Sequence, residues 1–252
     1  MLSQMIVSRH TLIFPAVIAV VLCAAAAGLF ALRRAGSWLA ASDPQPPSLD
    51  MIFSFGGEVE RYTYGKKLAR KYPGAFWAIS LGYVPVFDTL TLATIVRRNA
   101  ALEGFDTARI LVNDTCTSTG SEIELMSDLI RCALCKNTPI LPDSASPWDS
   151  LWYAEKQRLF RWFSSRPVDS LDIGLVSHPF HMRRIKMLAS LLTRDEPVRI
   201  YMLPVPWCGC TAEKSRPIRW WRSEKDASFV ISELVKIAYY GSWRRKVNVN
   251  GK

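Results

Sequence analysis

A short segment near residue 180 combines histidine with arginine, and these residue types suit the binding of an anion. Residues 177–184 have the sequence Ser-His-Pro-Phe-His-Met-Arg-Arg and directly follow an apolar run. His181 and Arg184 are three residues apart, so they share one face if a helix begins here. A helix N-terminus also presents free backbone amides and a partial positive charge, which favour phosphate or carboxylate. The alternative is that the arginines are solvated surface charges and that His178 ends a strand.

Two side chains are candidates for proton transfer. The ordinary pKa of histidine lies close to neutrality, which makes His181 the first candidate. Glu122 is the second candidate, as a partner of the histidine or as a base. Thr119 and Glu122 also fit the S/T-x-x-E capping box, in which the glutamate satisfies a free amide at a helix start. Catalysis and capping are therefore both open roles for Glu122.

Apolar runs alternate with helical patterns along residues 50–240, which predicts a parallel sheet with helices on both faces. The predicted strands are residues 50–55, 76–81, 109–113, 172–177 and 198–203. The predicted helices are residues 58–72, 88–103, 119–135, 149–163, 181–192 and 225–240. Ligands bind such sheets at the carboxyl ends of the strands. We therefore expect one edge to gather Gly56-Gly57, Gly82, residues 114–119 and residues 177–184.

Several motifs follow the predicted strands in a fixed order, and together they resemble the YdcF-like family of bacterial proteins, which includes the SanA and ElyC envelope proteins. The motifs that carry the resemblance are Phe55-Gly56-Gly57 with Glu60-Arg61, Ser80-Leu81-Gly82, Asp114 with Ser118-Thr119 and Glu122, and Val176 to Arg184 with its His-x-x-Arg spacing. This chain departs from the family pattern at two points. One glycine is lost after Leu81, and Ser118 replaces an asparagine.

The resemblance implies a fold, a location and a set of binding residues. The fold is a Rossmann-like three-layer sandwich with a mostly parallel sheet, and residues 137–170 are an insertion with no family counterpart. The location is the bacterial inner membrane, with the domain in the periplasm. A soluble relative binds S-adenosylmethionine, so this cofactor is possible here. The implied ligand-binding residues are Gly56, Gly57, Arg61, Ser80, Gly82, Asp114, Ser118, Thr119, Ser177, Arg183 and Arg184.

The N-terminus contains an apolar segment long enough to cross a bilayer. Residues 11–32 contain no charged side chain, and about 20 apolar residues span the hydrocarbon core. A cleaved signal peptide is the alternative. Basic residues flank the segment on both sides, so charge leaves the orientation nearly balanced. The predicted organisation is a tail and anchor over residues 1–34, a proline-rich linker over 35–49 and one domain over 50–252.

The charge balance favours anionic partners. The chain has 32 Lys+Arg against 22 Asp+Glu, which gives a formal net charge of +10. Such a balance suits nucleic acid, anionic lipids or phosphorylated ligands. Nucleic acid is not expected, because the chain has no zinc-finger, helix-turn-helix or RNA-binding signature. Arginine and tryptophan are both frequent in residues 216–222 and 243–246, which suits the interface of a bilayer. The alternative is a solvated basic face with tryptophans in the core.

The six cysteines leave two interpretations open. Cys132 and Cys135 form a CxxC motif, and Cys208 and Cys210 form a CxC motif. These pairs could form a zinc site or disulfides, or the thiols could be buried as small apolar side chains. The chain has three histidines and no HExxH, GxSxG or P-loop motif, so we predict no catalytic metal site.

Three functions follow from these patterns. The first is a membrane-anchored envelope protein that binds or processes a phosphorylated, lipid-linked ligand at the carboxyl edge of the sheet. The second is a nucleotide-type protein that binds S-adenosylmethionine, although Gly56-Gly57-Glu58 is not the GxGxxG fingerprint. The third is a membrane scaffold without catalytic activity.

Overall fold

The computed structural model of the chain describes residues 2–81, 92–113, 115–134, 147–166, 168–207 and 217–250. It contains seven α-helices: α1 (Leu2–Leu39), α2 (Val59–Lys71), α3 (Leu92–Leu102), α4 (Thr119–Ala133), α5 (Pro147–Ser164), α6 (Met182–Leu192) and α7 (Glu224–Asn250). The chain divides into two compact units. One consists of Met1–Leu39 with Gly209–Lys252, and the other of Ala40–Cys208.

The second unit is built on a five-stranded parallel sheet. Its strands are β1 (Met51–Ser54), β2 (Phe76–Ser80), β3 (Ile110–Asn113), β4 (Leu171–Val176) and β5 (Val198–Met202), in the spatial order β3-β2-β1-β4-β5. All four strand pairings are parallel. The side chains of β1 to β4 are buried along their whole length, as expected for strands covered on both faces. The predicted α/β Rossmann-like fold is confirmed.

The strand order creates one point where the connections diverge. The chain leaves β1 through α2 toward β2 on one side, and it leaves β4 through α6 toward β5 on the other side. Such a switch point opens a crevice outside the carboxyl ends of the two central strands. By this rule we expect a crevice between the turn after β1 and the segment that joins β4 to α6.

The first unit contains the predicted membrane helix. The residues Val17–Leu39 of α1 are long and apolar enough to cross a membrane, and the apolar window within them is fully exposed. The structure thus confirms a helix suited to spanning the bilayer. The helix does not end at residue 34, where the anchor was predicted to end, but continues through Arg33 and Arg34 to Leu39.

Residues 40–49 of the predicted proline-rich linker form neither a helix nor a strand and are fastened to the sheet, whereas residues 35–39 belong to α1. The Asp43 amide donates to the Met202 carbonyl at 2.9 Å, and the Asp43 carboxylate accepts from the Met202 amide at 2.8 Å. Tyr72 donates from its hydroxyl to the carbonyl of the buried Pro46 at 2.8 Å. Because β5 is an edge strand, these bonds occupy backbone groups that would otherwise be open for pairing.

Helix α2 packs unusually close to β1, and Gly65 makes this approach possible. A Cβ atom at Gly65 would overlap with the Ser54 hydroxyl and lie 3.1 Å from the Trp77 indole nitrogen. The Ser54 hydroxyl is itself fixed, because it accepts a hydrogen bond from Trp77 Nε1 at 3.0 Å in the buried core. A side chain at position 65 would therefore disturb both the packing and this bond.

We expect Gly65→Ala to lower the free energy of unfolding by about 1–3 kcal/mol, because overpacking strains the core and disturbs a buried hydrogen bond. The measurement is the thermal unfolding of the full chain in detergent micelles, followed by circular dichroism. Gly74→Ala is the matched control, since a Cβ there would meet nothing within 4 Å. Equal midpoints for the two variants would show that α2 and β1 are not this close.

Candidate functional site

The turn after β1 brings an arginine against its backbone. Gly57 has a φ of 121°, a backbone conformation that favours glycine. Arg61 lies directly against this turn, because a Cβ atom at Gly57 would be 3.1 Å from the guanidinium carbon. The Arg61 guanidinium also donates a hydrogen bond to the Gly56 carbonyl. A glycine at position 57 therefore allows the close approach of the arginine.

Glu122 connects this turn to the first turn of α4. The Gly56 amide donates to Glu122 Oε1 at 2.6 Å, across 66 residues of sequence. The side chain of Glu122 is buried. The bond therefore fixes the β1 turn against the start of α4 in a place shielded from water.

The predicted capping box at Thr119 and Glu122 is wrong by one residue. Ser118 is the N-cap, and its hydroxyl accepts from the Ser121 amide at 3.2 Å. The Ser121 hydroxyl in turn accepts from the Ser118 amide at 3.1 Å. Serine at both positions completes the box, so the Glu122 carboxylate is free to reach Gly56 instead.

The environment of Glu122 opposes its ionisation. Burial raises the pKa of Glu122 above its ordinary value. The Gly56 amide, the Ser80 hydroxyl and the positive charges of Arg61 and Arg184 act in the other direction, but they are smaller than the effect of burial. A carboxyl group held in this way can take up a proton more readily than an exposed glutamate, which suits an acid or base.

Two serine hydroxyls are buried where β2 and β4 end. Ser80 is close enough to the Glu122 carboxylate to favour its ionised form, although its hydroxyl makes no hydrogen bond of standard geometry with the described residues. The Ser177 side chain is completely buried, and its hydroxyl has no hydrogen-bond partner within the described part of the chain. Buried hydroxyls normally have partners. The Ser177 hydroxyl could therefore serve a ligand at the carboxyl edge.

Cys116 belongs to the same cluster, although the sequence did not single it out for the site. Burial raises the pKa of the Cys116 thiol to about 11, and the negative charge of Glu122 contributes to the rise. A thiol with such a pKa stays protonated near neutrality and is a poor nucleophile. Cys116 and Cys132 are both buried, while Cys135, Cys208 and Cys210 lie outside the described residues.

The predicted His-x-x-Arg pair lies at the start of α6. Arg184 is buried and 3.5 Å from Nδ1 of His181, measured from its Nη2. The segment enters α6 through a short 3-10 turn, Pro179–His181, in which the His178 ring accepts from the Phe180 amide at 3.4 Å. The turn places His181 and Arg184 on one face, as their spacing predicts. The positive charge of Arg184 also acts on the Glu122 carboxylate.

An aromatic group borders the histidines, and it was not among the predicted site residues. The ring of Trp207 lies 5.8 Å from His178 and 5.1 Å from Phe180, and the rings of His178 and His181 are 5.7 Å apart. Trp207 follows the end of β5, so its position at the carboxyl edge could have been inferred from the strand pattern. Its contact with His178 depends on β5 lying next to β4, which the sequence does not show.

The structure brings together most of the predicted residues that it describes. Those at or beside the Glu122 carboxylate, or next to Arg184, are Gly56, Gly57, Arg61, Ser80, Glu122, His181 and Arg184. Ser118 caps α4, while Thr119 and Arg183 are half-buried at the starts of α4 and α6. Gly82 and Asp114 lie outside the described residues. Ligand binding by these side chains stays a prediction.

Two further searches concern metal sites and similar proteins. Among the residues that the structure describes, no group of three His, Cys, Asp or Glu side chains could hold a metal ion. Comparison with family models, curated proteins and solved structures gave no match. The case for a function therefore depends on the geometry of the cluster.

We expect Glu122→Gln to change how stability depends on pH. The folded protein holds the Glu122 proton to a higher pH than the unfolded chain, whose pKa is near 4.5. In that window the folded state binds more protons, so this group makes the free energy of unfolding fall as pH rises. Glutamine does not titrate, so the stability of the variant relative to the original chain should increase from pH 4 to pH 7.

Urea unfolding of the full chain in micelles at pH 4 and pH 7 measures this difference. Glu124→Gln is the control, because Glu124 is exposed on the same helix. A constant difference between Glu122→Gln and the original chain, or one that turns against the variant at higher pH, would mean that burial does not dominate at Glu122.

Proposed function

We propose that the domain binds a phosphorylated ligand in the crevice between the β1 turn and the start of α6. The observation that carries the proposal is the convergence of two arginines on one buried carboxyl group beside the glycine turn. Arg61 and Arg184 both act on Glu122. Two guanidinium groups therefore come together where β1 and β4 end.

The chemistry of the cluster suits phosphate. Guanidinium groups form charge-assisted, often paired hydrogen bonds with phosphate oxygens. The turn at Gly57 has no side chain, so a ligand can approach its backbone closely. The start of α6 adds a partial positive charge next to Arg184. The glycine turn follows β1 and the start of α6 follows β4, so these groups belong to the carboxyl edge of the sheet.

A reaction on the ligand would depend on His181. Its imidazole lies beside Arg184. A phosphate oxygen held by Arg184 would therefore be next to a group that gains or loses a proton near neutrality. Glu122 could serve as the second proton-transfer group, because burial already favours its protonated form. Binding without turnover remains compatible with the same arrangement.

We further propose that the ligand is linked to a lipid. Helix α1 is suited to hold the chain in a bilayer, and residues 40–49 form a short linker between it and the sheet. The chain carries 32 Lys+Arg against 22 Asp+Glu, which favours the surface of an anionic membrane. The resemblance of the motifs to YdcF-like envelope proteins supports the periplasmic side of a bacterial inner membrane.

We expect Arg184→Gln to weaken the binding of undecaprenyl phosphate by about 10-fold to 100-fold, because a charge-assisted hydrogen bond is worth about 1.5–3 kcal/mol. The measurement is isothermal titration of the full chain in detergent micelles. Arg194→Gln is the matched control, since Arg194 is exposed just after α6. Arg184→Lys, which keeps the charge without the planar fork, should be intermediate.

Three further ligands test whether the phosphate, the lipid or an adenosyl group is recognised. Undecaprenol lacks the phosphate and should not bind, whereas inorganic pyrophosphate should bind through the phosphate groups alone. S-adenosylmethionine tests the nucleotide-type alternative. Binding of S-adenosylmethionine that is lost in Arg184→Gln, together with no binding of either phosphate ligand, would reject the proposal in favour of that alternative.

A further inference from the structure

The exposed face of α7 is apolar beyond its first two turns. The side chains of Ile231, Val235 and Tyr239 are 54%, 64% and 66% exposed. They follow one another at intervals of four residues, and Ala238 is exposed between them. Residues with this spacing form one stripe along a helix. The stripe is therefore a continuous apolar surface that faces outward.

The other side of α7 has two buried carboxylates beside apolar residues such as Val230. Glu233 is completely buried, and Asp226 is nearly so. Lys236, whose side chain is partly exposed, donates to Glu233 Oε1 at 3.1 Å. A surface helix in water normally turns polar side chains outward, whereas the three largest exposed side chains of this stripe are apolar. An apolar outer stripe is instead favoured where the surrounding medium is lipid.

Contacts within the same unit place the start of α7 near the end of the apolar part of α1. The turn Pro217–Arg222, which precedes α7, packs against both α1 and α7. The Arg33 guanidinium lies over the ring of Trp221, 5.8 Å from its centroid. Arg33 is the first charged residue after the apolar run, so in a membrane it would mark the boundary of the hydrocarbon. Trp221 lies at the same level.

Basic residues accompany both ends of α7. Arg219 and Arg222 are exposed just before the helix. The sequence of its last turns includes Arg244, Arg245 and Lys246. Cations next to an apolar helical stripe are the pattern of helices that lie in the interface of anionic bilayers. The basic residues therefore favour an anionic lipid surface, rather than an apolar protein surface, as the partner of the stripe.

We propose that α7 is an interfacial helix that lies in the same bilayer that α1 crosses. Ile231, Val235 and Tyr239 face the acyl chains, and the flanking arginines contact anionic headgroups. The protein thus meets the membrane at a second place besides its anchor. The inference depends on α1 crossing the bilayer and is independent of the ligand proposed above.

The test is photocrosslinking of the full chain in vesicles of phosphatidylcholine and phosphatidylglycerol. Val235 is replaced by p-benzoylphenylalanine, and adducts are identified by mass spectrometry after illumination. Val20, which is exposed in α1, is the positive control, and Ser190, which is exposed in α6, is the control in the other unit. Tyr239 provides a second reporter on the same stripe, with an aromatic side chain that the replacement conserves.

We expect lipid adducts at positions 235 and 239 in yields comparable with position 20, and none at position 190. The yield at position 235 should fall in vesicles of phosphatidylcholine alone. Adducts to a second copy of the chain would overturn the proposal, because the stripe would then be a protein interface. The proposal is equally overturned if positions 235 and 239 form no adduct, or label no more strongly than position 190.

Discussion

The hydrogen bond from the Gly56 amide to the Glu122 carboxylate is the constraint on which the candidate site depends. It joins the turn after β1 to the first turn of α4, at 2.6 Å and away from water. A buried carboxylate without a partner is costly by about 1–3 kcal/mol or more. The bond exists because two other residues, Ser118 and Ser121, cap α4 and leave Glu122 free. Because the two serines cap α4, Glu122 can form a hydrogen bond to a residue that is distant in the sequence.

The same carboxyl group is the point on which two arginines act. Arg61 and Arg184 both favour the ionised form of Glu122, beside the switch point between β1 and β4. An anionic ligand placed beside Glu122 would repel its ionised form and favour its protonated form. Ligand binding would then raise the proton affinity of Glu122, and protonation of Glu122 would raise the ligand affinity by the same factor.

The sequence predicted the fold well because its elements are locally determined. Runs of buried apolar residues define the strands, so the parallel sheet and all of its strands were expected. The site was predicted less completely, because it depends on which strands are neighbours. The partner of Glu122 could not be inferred, since Thr119 offered an equally valid capping pattern. The bonds of Asp43 to β5 and the contact of Trp207 with His178 also join segments whose proximity only the folded chain shows.

The most direct test of this account is the titration of the Glu122 carboxyl group by carbon-13 NMR. The full chain in micelles is labelled at glutamate, and Glu122→Gln identifies the signal. We expect a pKa above the ordinary value for glutamate, because burial dominates, and a further rise when inorganic pyrophosphate is added. An ordinary or lowered pKa, or one that saturating pyrophosphate leaves unchanged, would contradict an anion site built around Glu122.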